Sequence, residues 1–344
     1  MLIDCSDIQL DIVKPKNDFE TKVFEFFQEC LSDKLTTSIK SSGSTGIPKL
    51  FDVEKRRMFA SAKMTCDFLG LKKGNSVALC LPIEYISGKM MVIRAIERQL
   101  SLNVLEPKSD ALANLQTEVD FCAMTPLQVE HSLDKLHLIK KLIIGGAAVS
   151  QSLKKKIYDS LKTSNQEIFE TYGMSETLSH IALRKIYPIT EDYFTCFEGV
   201  NISISPSGCL IINAPNISPD LIVTNDLVEI IGENQFRFLG RIDNVINSGG
   251  AKIFPEEVEA LIKKEIPYEV VVTAILDDVL GEKMIAVVEA PPSEDLKIKI
   301  SNINYRRKLD RPKDVIFIEN IPRTPNGKVN RIDLKAIINR YRDE

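Results

Sequence analysis

Ser41-Ser42-Gly43-Ser44-Thr45-Gly46-Ile47-Pro48-Lys49 puts two glycines, four hydroxyls and a lysine into nine residues. Such a segment suits phosphate: glycines let backbone N–H groups approach oxygens, hydroxyls donate, and Lys49 supplies charge. It is not a Walker A loop, because Lys49 lies three residues beyond Gly46 and Leu50 follows it. Taken alone, the segment reads equally well as a surface turn. Farther on, Thr171, Tyr172, Ser175 and Glu176 crowd hydroxyls, an aromatic ring and a carboxylate into six residues. Lys328 follows Gly327 in a stretch with proline at 325, which presents it on a tight turn.

The composition narrows the chemistry. Only three histidines occur, His131, His137 and His180, which excludes multi-histidine metal sites. Seven cysteines lie singly with no CxxC, a pattern of reduced thiols in a cytoplasmic protein. The net charge is −4, so no global basic field points to nucleic acid. No apolar run is long enough to span a bilayer, and the acidic, interrupted start does not read as a signal peptide. An enzyme of this composition has to work with Lys, Arg, Glu, Asp and backbone amides.

Elements that would carry these residues follow from periodicity. Met58, Ala62, Cys66 and Leu69 recur at helical spacing and Gly70 stops the run. Ser76–Pro82, Leu102–Leu105, 119–126 and 141–146 read as short buried strands. Helices are expected from Ser87, over Gln151–Leu161, near Ser301–Leu309 and from Arg331. The alternation predicts an α/β layer with a largely parallel sheet. After about Tyr187 short alternating runs broken by turns predict antiparallel hairpins. The last hundred or so residues are long enough for a small α+β domain. The expected division is a large domain over 1–242 and a small mobile domain over 243–344, with Asp243 as hinge.

The glycine-rich segment closely resembles the phosphate loop of the adenylate-forming superfamily: acyl-CoA synthetases, luciferases and peptide-synthetase adenylation domains. The family's other signatures stand in the family's order. Glu170-Thr171-Tyr172-Gly173-Met174-Ser175-Glu176-Thr177 is similar to YGMTE, and Thr224-Asn225-Asp226 to TGD. Gly240-Arg241-Ile242-Asp243 with Gly249-Gly250 resembles the GRxD hinge and the loop after it. Pro322-Arg323-Thr324-Pro325-Asn326-Gly327-Lys328 resembles the lysine loop. Within the superfamily, residues 81–95, 145–150 and 172–184 are most similar to the o-succinylbenzoate–CoA ligases of menaquinone synthesis. About forty residues precede Ser41, so the resemblance is to a form trimmed at the amino-terminal side. Ser175 stands for the usual threonine, Asn225 for the glycine of TGD, and Tyr85 for a histidine common before the acyl pocket.

The resemblance implies a large α/β nucleotide-binding domain with mixed sheets, a small mobile carboxy-terminal α+β domain, and the activity of an AMP-forming acid–thiol ligase with ATP, Mg²⁺ and CoA. A carboxylate resists attack by a thiol because its leaving group would be oxide; transfer to AMP supplies a better one. Lys328 would bridge the substrate carboxylate and the phosphate, and Glu176 would hold Mg²⁺. Ser41, Ser42, Gly43, Ser44, Thr45, Gly46 and Lys49 would take phosphate. Thr171 and Ser175 would donate to it, and Tyr172 and Gly173 would face adenine. Gly145, Gly146 and Ala147 lack bulk and would lie flat against the nucleotide. Asp226 and Arg241 would take the ribose hydroxyls. Gly249 and Gly250 would admit the thiol after Asp243 turns. For the acid, Tyr85, Arg184 and Arg94 are candidates, Arg184 first, although each arginine reads as well as a surface or ion-paired one. Open alternatives are another acyl- or aryl-CoA ligase, an enzyme loading a carrier protein, and a non-catalytic nucleotide-binding relative. The expected partners are small molecules only, with no membrane insertion; a homodimer is left open.

Overall fold

A computed structural model describes residues 1–7, 13–40, 50–161, 165–323 and 329–343. Contacts group the chain into two units. One comprises Met1–Ser203, Ile211–Ile222 and Ile231–Phe236; the other comprises Ile204–Leu210, Val223–Ile230 and Arg237–Glu344.

In the first unit the strands lie in the order Leu2–Asp4, Ser101–Val104, Ser76–Leu79, Val119–Met124, Ile139–Ile144, Glu167–Gly173, His180–Tyr187 and Phe194–Cys196. The pairings from Ser101–Val104 through Glu167–Gly173 are parallel. Those at both ends are antiparallel. The sheet is therefore mixed, with a parallel centre buried on both faces and hairpins beyond it. Cys80, Cys122, Leu142, Ile144 and Ile168 pack on one face with Leu153 and Ile157 of the helix Gln151–Ser160. All seven cysteines are free and buried.

The helices form where the apolar spacing placed them, at Lys55–Phe68, Ile86–Arg98 and Gln151–Ser160. Ser150 caps the last by accepting from the Leu153 N–H, and Gln99 ends the middle one in a left-handed conformation. A further helix, Asp18–Leu31, is capped by Asn17 and buries Val23, Phe26, Phe27 and Cys30.

The second unit contains a five-stranded sheet. Val270–Asp277 and Gly281–Glu289 are antiparallel along their full length, and Asp314–Ile318 runs parallel to the latter. The short hairpin Ile246–Ser248 and Ala251–Ile253 completes it. Val270 and Val272 face a core with the helix Pro255–Glu265, while Val271 and Ile275 face one with Leu334 and Ile338 of the helix Arg331–Asp343. That alternation buries both faces of the sheet. One helix is displaced from its expected place: it spans Glu294–Ser301, not Ser301–Leu309. Ser293 accepts from the Leu296 N–H at its start, with Glu294 and Asp295 in the first turn, and Lys308–Asp310 is only a 3-10 turn. Among the described residues no helix is long and apolar enough to cross a membrane.

Candidate functional site

Ser76–Leu79 has its sequence successor Ser101–Val104 on one side and Val119–Met124 on the other, so the order of the parallel strands reverses there. Ligands of open α/β sheets gather beyond the carboxyl ends of the strands at such a switch point. The small residues expected to border a nucleotide lie beyond those same ends. Gly145 and Gly146 follow Ile139–Ile144, and Gly173 ends Glu167–Gly173.

Their lack of side chains has local causes. A Cβ on Gly145 would lie 2.7 Å from the Thr171 hydroxyl, so the glycine lets the two strand ends meet. Gly146 has φ +88°, a conformation that favours glycine. A Cβ on Gly173 would lie 2.5 Å from the Ser179 carbonyl and from the His180 Cα. Gly173 thus closes the neck of the loop Met174–Leu178, on which Ser175 and Glu176 are exposed in a 3-10 turn. Ala147 is half-buried. Tyr172 is buried, with its ring 4.9 Å from that of Phe236 and 5.6 Å from that of Phe194. Its ring therefore belongs to an aromatic cluster whatever else it contacts.

The two arginines differ sharply. Arg184 donates through Nη2 to Glu170 Oε2 at 2.5 Å and lies over the Phe194 ring at 4.5 Å. Lys154 is 3.4 Å from the same oxygen of Glu170. Burial pushes the Glu170 carboxyl up, but Arg184 and Lys154 outweigh it and hold it below the usual range. Arg184 is thus an ion-paired arginine in this structure. Arg94 is 2% exposed and has no carboxylate partner among the described residues. Its Nη2 donates to Ser179 Oγ at 2.9 Å, Nη1 lies 3.6 Å from Met91 Sδ, and Nε has no hydrogen-bond partner among the described residues. Burial lowers its pKa to about 10, so it remains charged at neutral pH.

Arg94 heads a chain of hydrogen bonds. Ser179 Oγ is 3.2 Å from His180 Nδ1, His180 Nε2 is 3.2 Å from Thr65 Oγ1, and Thr65 donates to the Ser61 carbonyl at 3.1 Å. Every bond is satisfied in one direction if His180 is neutral with its proton on Nε2. Burial, and then the nearby Arg94 charge, push the His180 pKa well below its usual value, in keeping with a neutral ring.

Tyr85 is 39% exposed at the start of the helix that carries Arg94. That helix rests on backbone: a Cβ on Gly88 would lie 2.3 Å from the Pro82 carbonyl. Gly88→Ala is accordingly expected to push the helix off the strand end and destabilise by about 1–3 kcal/mol. Thermal unfolding measures this, and an unchanged midpoint would show that the helix yields freely.

Residues of the second unit form their own set. Asp226 is buried on Ile222–Gly232, and Arg241 Nε lies 3.6 Å from it. Arg241 Nη2 donates to Asp243 at 2.8 Å, and Asn225 Nδ2 donates to Asp243 at 3.1 Å. The Arg241 hydrogen bond holds the Asp243 carboxyl below the usual range. Asn225, at the glycine position of TGD, thus ties that segment to Asp243. Gly240, with φ +154°, leaves room for Glu256, whose Oε2 would lie 2.5 Å from a Cβ there. Gly249 and Gly250 both have positive φ and turn the hairpin between Ile246–Ser248 and Ala251–Ile253.

Ser41, Ser42, Gly43, Ser44, Thr45, Gly46, Lys49 and Lys328 lie outside the described residues. What flanks them is described. Thr36–Lys40 and Leu50–Glu54 form an antiparallel hairpin in which Lys40 pairs with Leu50, so residues 41–49 connect its two strands. Arg323 and Val329 are bridge partners on either side of residues 324–328. Among the described residues no cluster of three or more His, Cys, Asp or Glu could hold a metal ion. A lone exposed Glu176 suits only a cation that takes its remaining ligands from substrate phosphates and water, which is the habit of Mg²⁺.

The site's polar partners escape the sequence reading. Nothing in the spacing joins Thr65 to His180, 115 residues on, or marks Ser179 as the acceptor of Arg94.

The AMP-binding enzyme family matches residues 9–197. A 2-succinylbenzoate–CoA ligase of Lactococcus lactis is 23% identical over 330 residues, 88% of this chain and 71% of the relative. One from Bacillus cereus is 24% identical, covering 91% and 72%. Among solved structures, an acyl-CoA synthetase (AMP-forming)/AMP-acid ligase II-like protein of Dyadobacter fermentans is 31% identical. The match covers 95% of this chain and 97% of that one, with TM-score 0.66. The O-succinylbenzoate coenzyme A synthetase of Bacillus subtilis, in complex with ATP and magnesium ion, gives TM-score 0.73 at 21% identity, covering 87% and 69%.

Proposed function

This chain belongs to the AMP-binding enzyme family, as an AMP-forming acyl-CoA synthetase. From that premise we propose that it activates o-succinylbenzoate to the acyl adenylate and transfers it to CoA in the cytoplasm. The observation that carries the choice of acid is Arg94. A buried guanidinium without a carboxylate partner is costly unless an anion meets it. o-Succinylbenzoate has two carboxylates, one of which stays charged after activation. Arg184, already offset by Glu170, is the weaker candidate. The names of the relatives support the same acid.

In this reading Ser41, Ser42, Gly43, Ser44, Thr45, Gly46, Lys49, Thr171 and Ser175 bind the phosphates, and Gly145, Gly146, Ala147, Tyr172 and Gly173 line the nucleotide. Asp226 and Arg241 hold the ribose. Glu176 holds Mg²⁺, which offsets phosphate charge when bound. Lys328 neutralises the carboxylate and α-phosphate as they condense, releasing pyrophosphate. Pyrophosphate release measured across a panel of aromatic and aliphatic mono- and dicarboxylic acids tests the assignment. Preference for an aliphatic monocarboxylate would overturn the choice of acid, and turnover with a carrier-protein thiol but not CoA would overturn the acceptor.

The division at Asp243, with 1–242 and 243–344 as large and small mobile domains, is part of the same proposal. The second half-reaction then needs rotation of the smaller domain about Asp243, so that Lys328 leaves and Gly249-Gly250 faces the thiol. Asp243→Pro fixes φ and removes the carboxylate that Arg241 and Asn225 hold. It is expected to retain acyl adenylate formation while thioester formation collapses. Equal loss of both half-reactions would remove the hinge from the account.

A further inference from the structure

Glu170 is a carboxylate in the middle of a sheet whose buried strands otherwise carry apolar side chains. It is 4% exposed, in register with Ile144 of the parallel neighbour strand and with Arg184 of the antiparallel one. Its two oxygens have different tasks. Oε2 meets the cations: Arg184 Nη2 donates to it at 2.5 Å, and Lys154 Nζ lies 3.4 Å away. Oε1 accepts from the Val149 N–H at 3.0 Å. Val149 is buried and stands just before Ser150, the cap of the helix Gln151–Ser160. At the other end of the same turn, the Gly145 N–H donates to the Met124 carbonyl at 3.0 Å. Gly146, Ala147 and Ala148 span the interval between these two fixed points, and none of the three is buried.

We propose that Glu170 is a positioning residue for the nucleotide: by holding the Val149 N–H it fixes the turn Gly145–Val149 before ATP arrives. This rests on the reading that Gly145, Gly146 and Ala147 line the nucleotide. A buried ion cluster is a poor device for stability, since well-packed apolar side chains in its place are often as stable or more so. What an apolar side chain lacks is an acceptor for the Val149 N–H, which would then be left unpaired in the interior. The cations follow from that need, because a buried carboxylate has to be paired. Arg184 and Lys154 occupy one oxygen and leave the other to the turn. Without the Val149 bond the turn would be ordered only as the nucleotide binds. Ordering the backbone of one residue at that moment corresponds to about a tenfold loss of affinity.

The test uses full-length Glu170→Gln, Lys154→Met and the double variant. Calorimetric binding of ATP with Mg²⁺, without acid, reads the turn. The KM of the acid preferred in the panel above reads the rest of the site. In Glu170→Gln the amide oxygen is drawn to Arg184, which turns the NH₂ group toward the Val149 N–H and removes the acceptor. The Kd for ATP is expected to rise about tenfold, with KM for the acid within about twofold. Lys154→Met leaves Glu170 bonded to both Val149 and Arg184, so its Kd for ATP should stay within about twofold of the parent. The double variant removes one charge of each sign, keeps the net charge of the cluster and should match Glu170→Gln; it reads the proposal if the single variant does not fold. A cluster that served only the fold would weaken ATP and acid together, in Lys154→Met as well. That pattern, parent affinity in both Glu170 variants, or failure of both to fold, overturns the proposal. Ala147→Leu, which adds bulk to the turn itself, separates the two readings. If it leaves ATP affinity untouched, the turn does not border the nucleotide and the underlying reading fails. If it weakens ATP while both Glu170 variants bind at parent strength, only the positioning role fails.

Discussion

Lys328→Ala is expected to lower acyl adenylate formation by about 10²–10³-fold, the usual cost of deleting one group that stabilises developing charge. The argument is electrostatic. Attack of a carboxylate anion on the α-phosphorus of a triphosphate brings like charges together, and little covalent help is available. Cations must therefore meet the reacting atoms in the transition state, not merely the bound nucleotide. Binding of ATP itself should change little, since the phosphate segment and Asp226 remain. Thioester formation from synthetic acyl adenylate should also persist, because the phosphate is then a leaving group and needs no bridge to a second anion. Pyrophosphate release and thiolysis, measured separately, decide the matter. Adenylation at the parent rate would remove the central residue from the reaction and the reaction from the protein.

The fold was legible where a single face had to be buried. Met58, Ala62 and Cys66 recur at helical spacing, and the strands around Ala78, Cys122 and Leu142 are short apolar runs with breaks at each end. The helix Asp18–Leu31 is not among the expected elements, although Val23, Phe26, Phe27 and Cys30 fall on one buried face and Asn17 caps its start. The helix Glu294–Ser301 is harder to place. Ile298 and Ile300 alternate as in a strand, and the cap at Ser293 is what starts it where it lies. The mixed character of the large sheet was legible through the family resemblance, not through periodicity, which does not report which strands neighbour each other.

The candidate site divides the same way. Glycines that permit a close approach, such as Gly145 against Thr171 and Gly173 against Ser179, lie inside contiguous motifs and can be read from them. Partners of charged groups cannot. Arg184 meets Glu170 because of the register between Glu167–Gly173 and His180–Tyr187, which includes a shift at Tyr172/Gly173. Arg94 meets Ser179 across 85 residues. The ranking of the two arginines for the second carboxylate accordingly reverses once their surroundings are known.

That reversal has a large and unusual consequence. Most buried arginines are replaced at a loss, because a paired carboxylate is left stranded. Among the described residues Arg94 has none, and there its Nε finds no hydrogen-bond partner either. Arg94→Met keeps the length and apolar stem while removing an uncompensated buried charge, so the unfolding midpoint is expected to stay level or rise. Use of o-succinylbenzoate should suffer nonetheless. A hydrogen bond to a charged partner is worth about 1.5–3 kcal/mol, or about ten- to over a hundredfold in kcat/KM. A monocarboxylic aryl acid, with nothing to offer the guanidinium, should be used as before or better, since the desolvated charge is gone. Ser179→Ala should show a weaker form of the same selectivity change, because Ser179 fixes the direction of Nη2 without itself carrying charge. Steady-state kinetics with the two acids and a thermal melt decide between the roles. If the melt falls and both acids lose rate together, Arg94 serves the fold and the second carboxylate is held elsewhere. A stable protein that has lost only the dicarboxylate shows a charge kept against the interest of stability, for recognition.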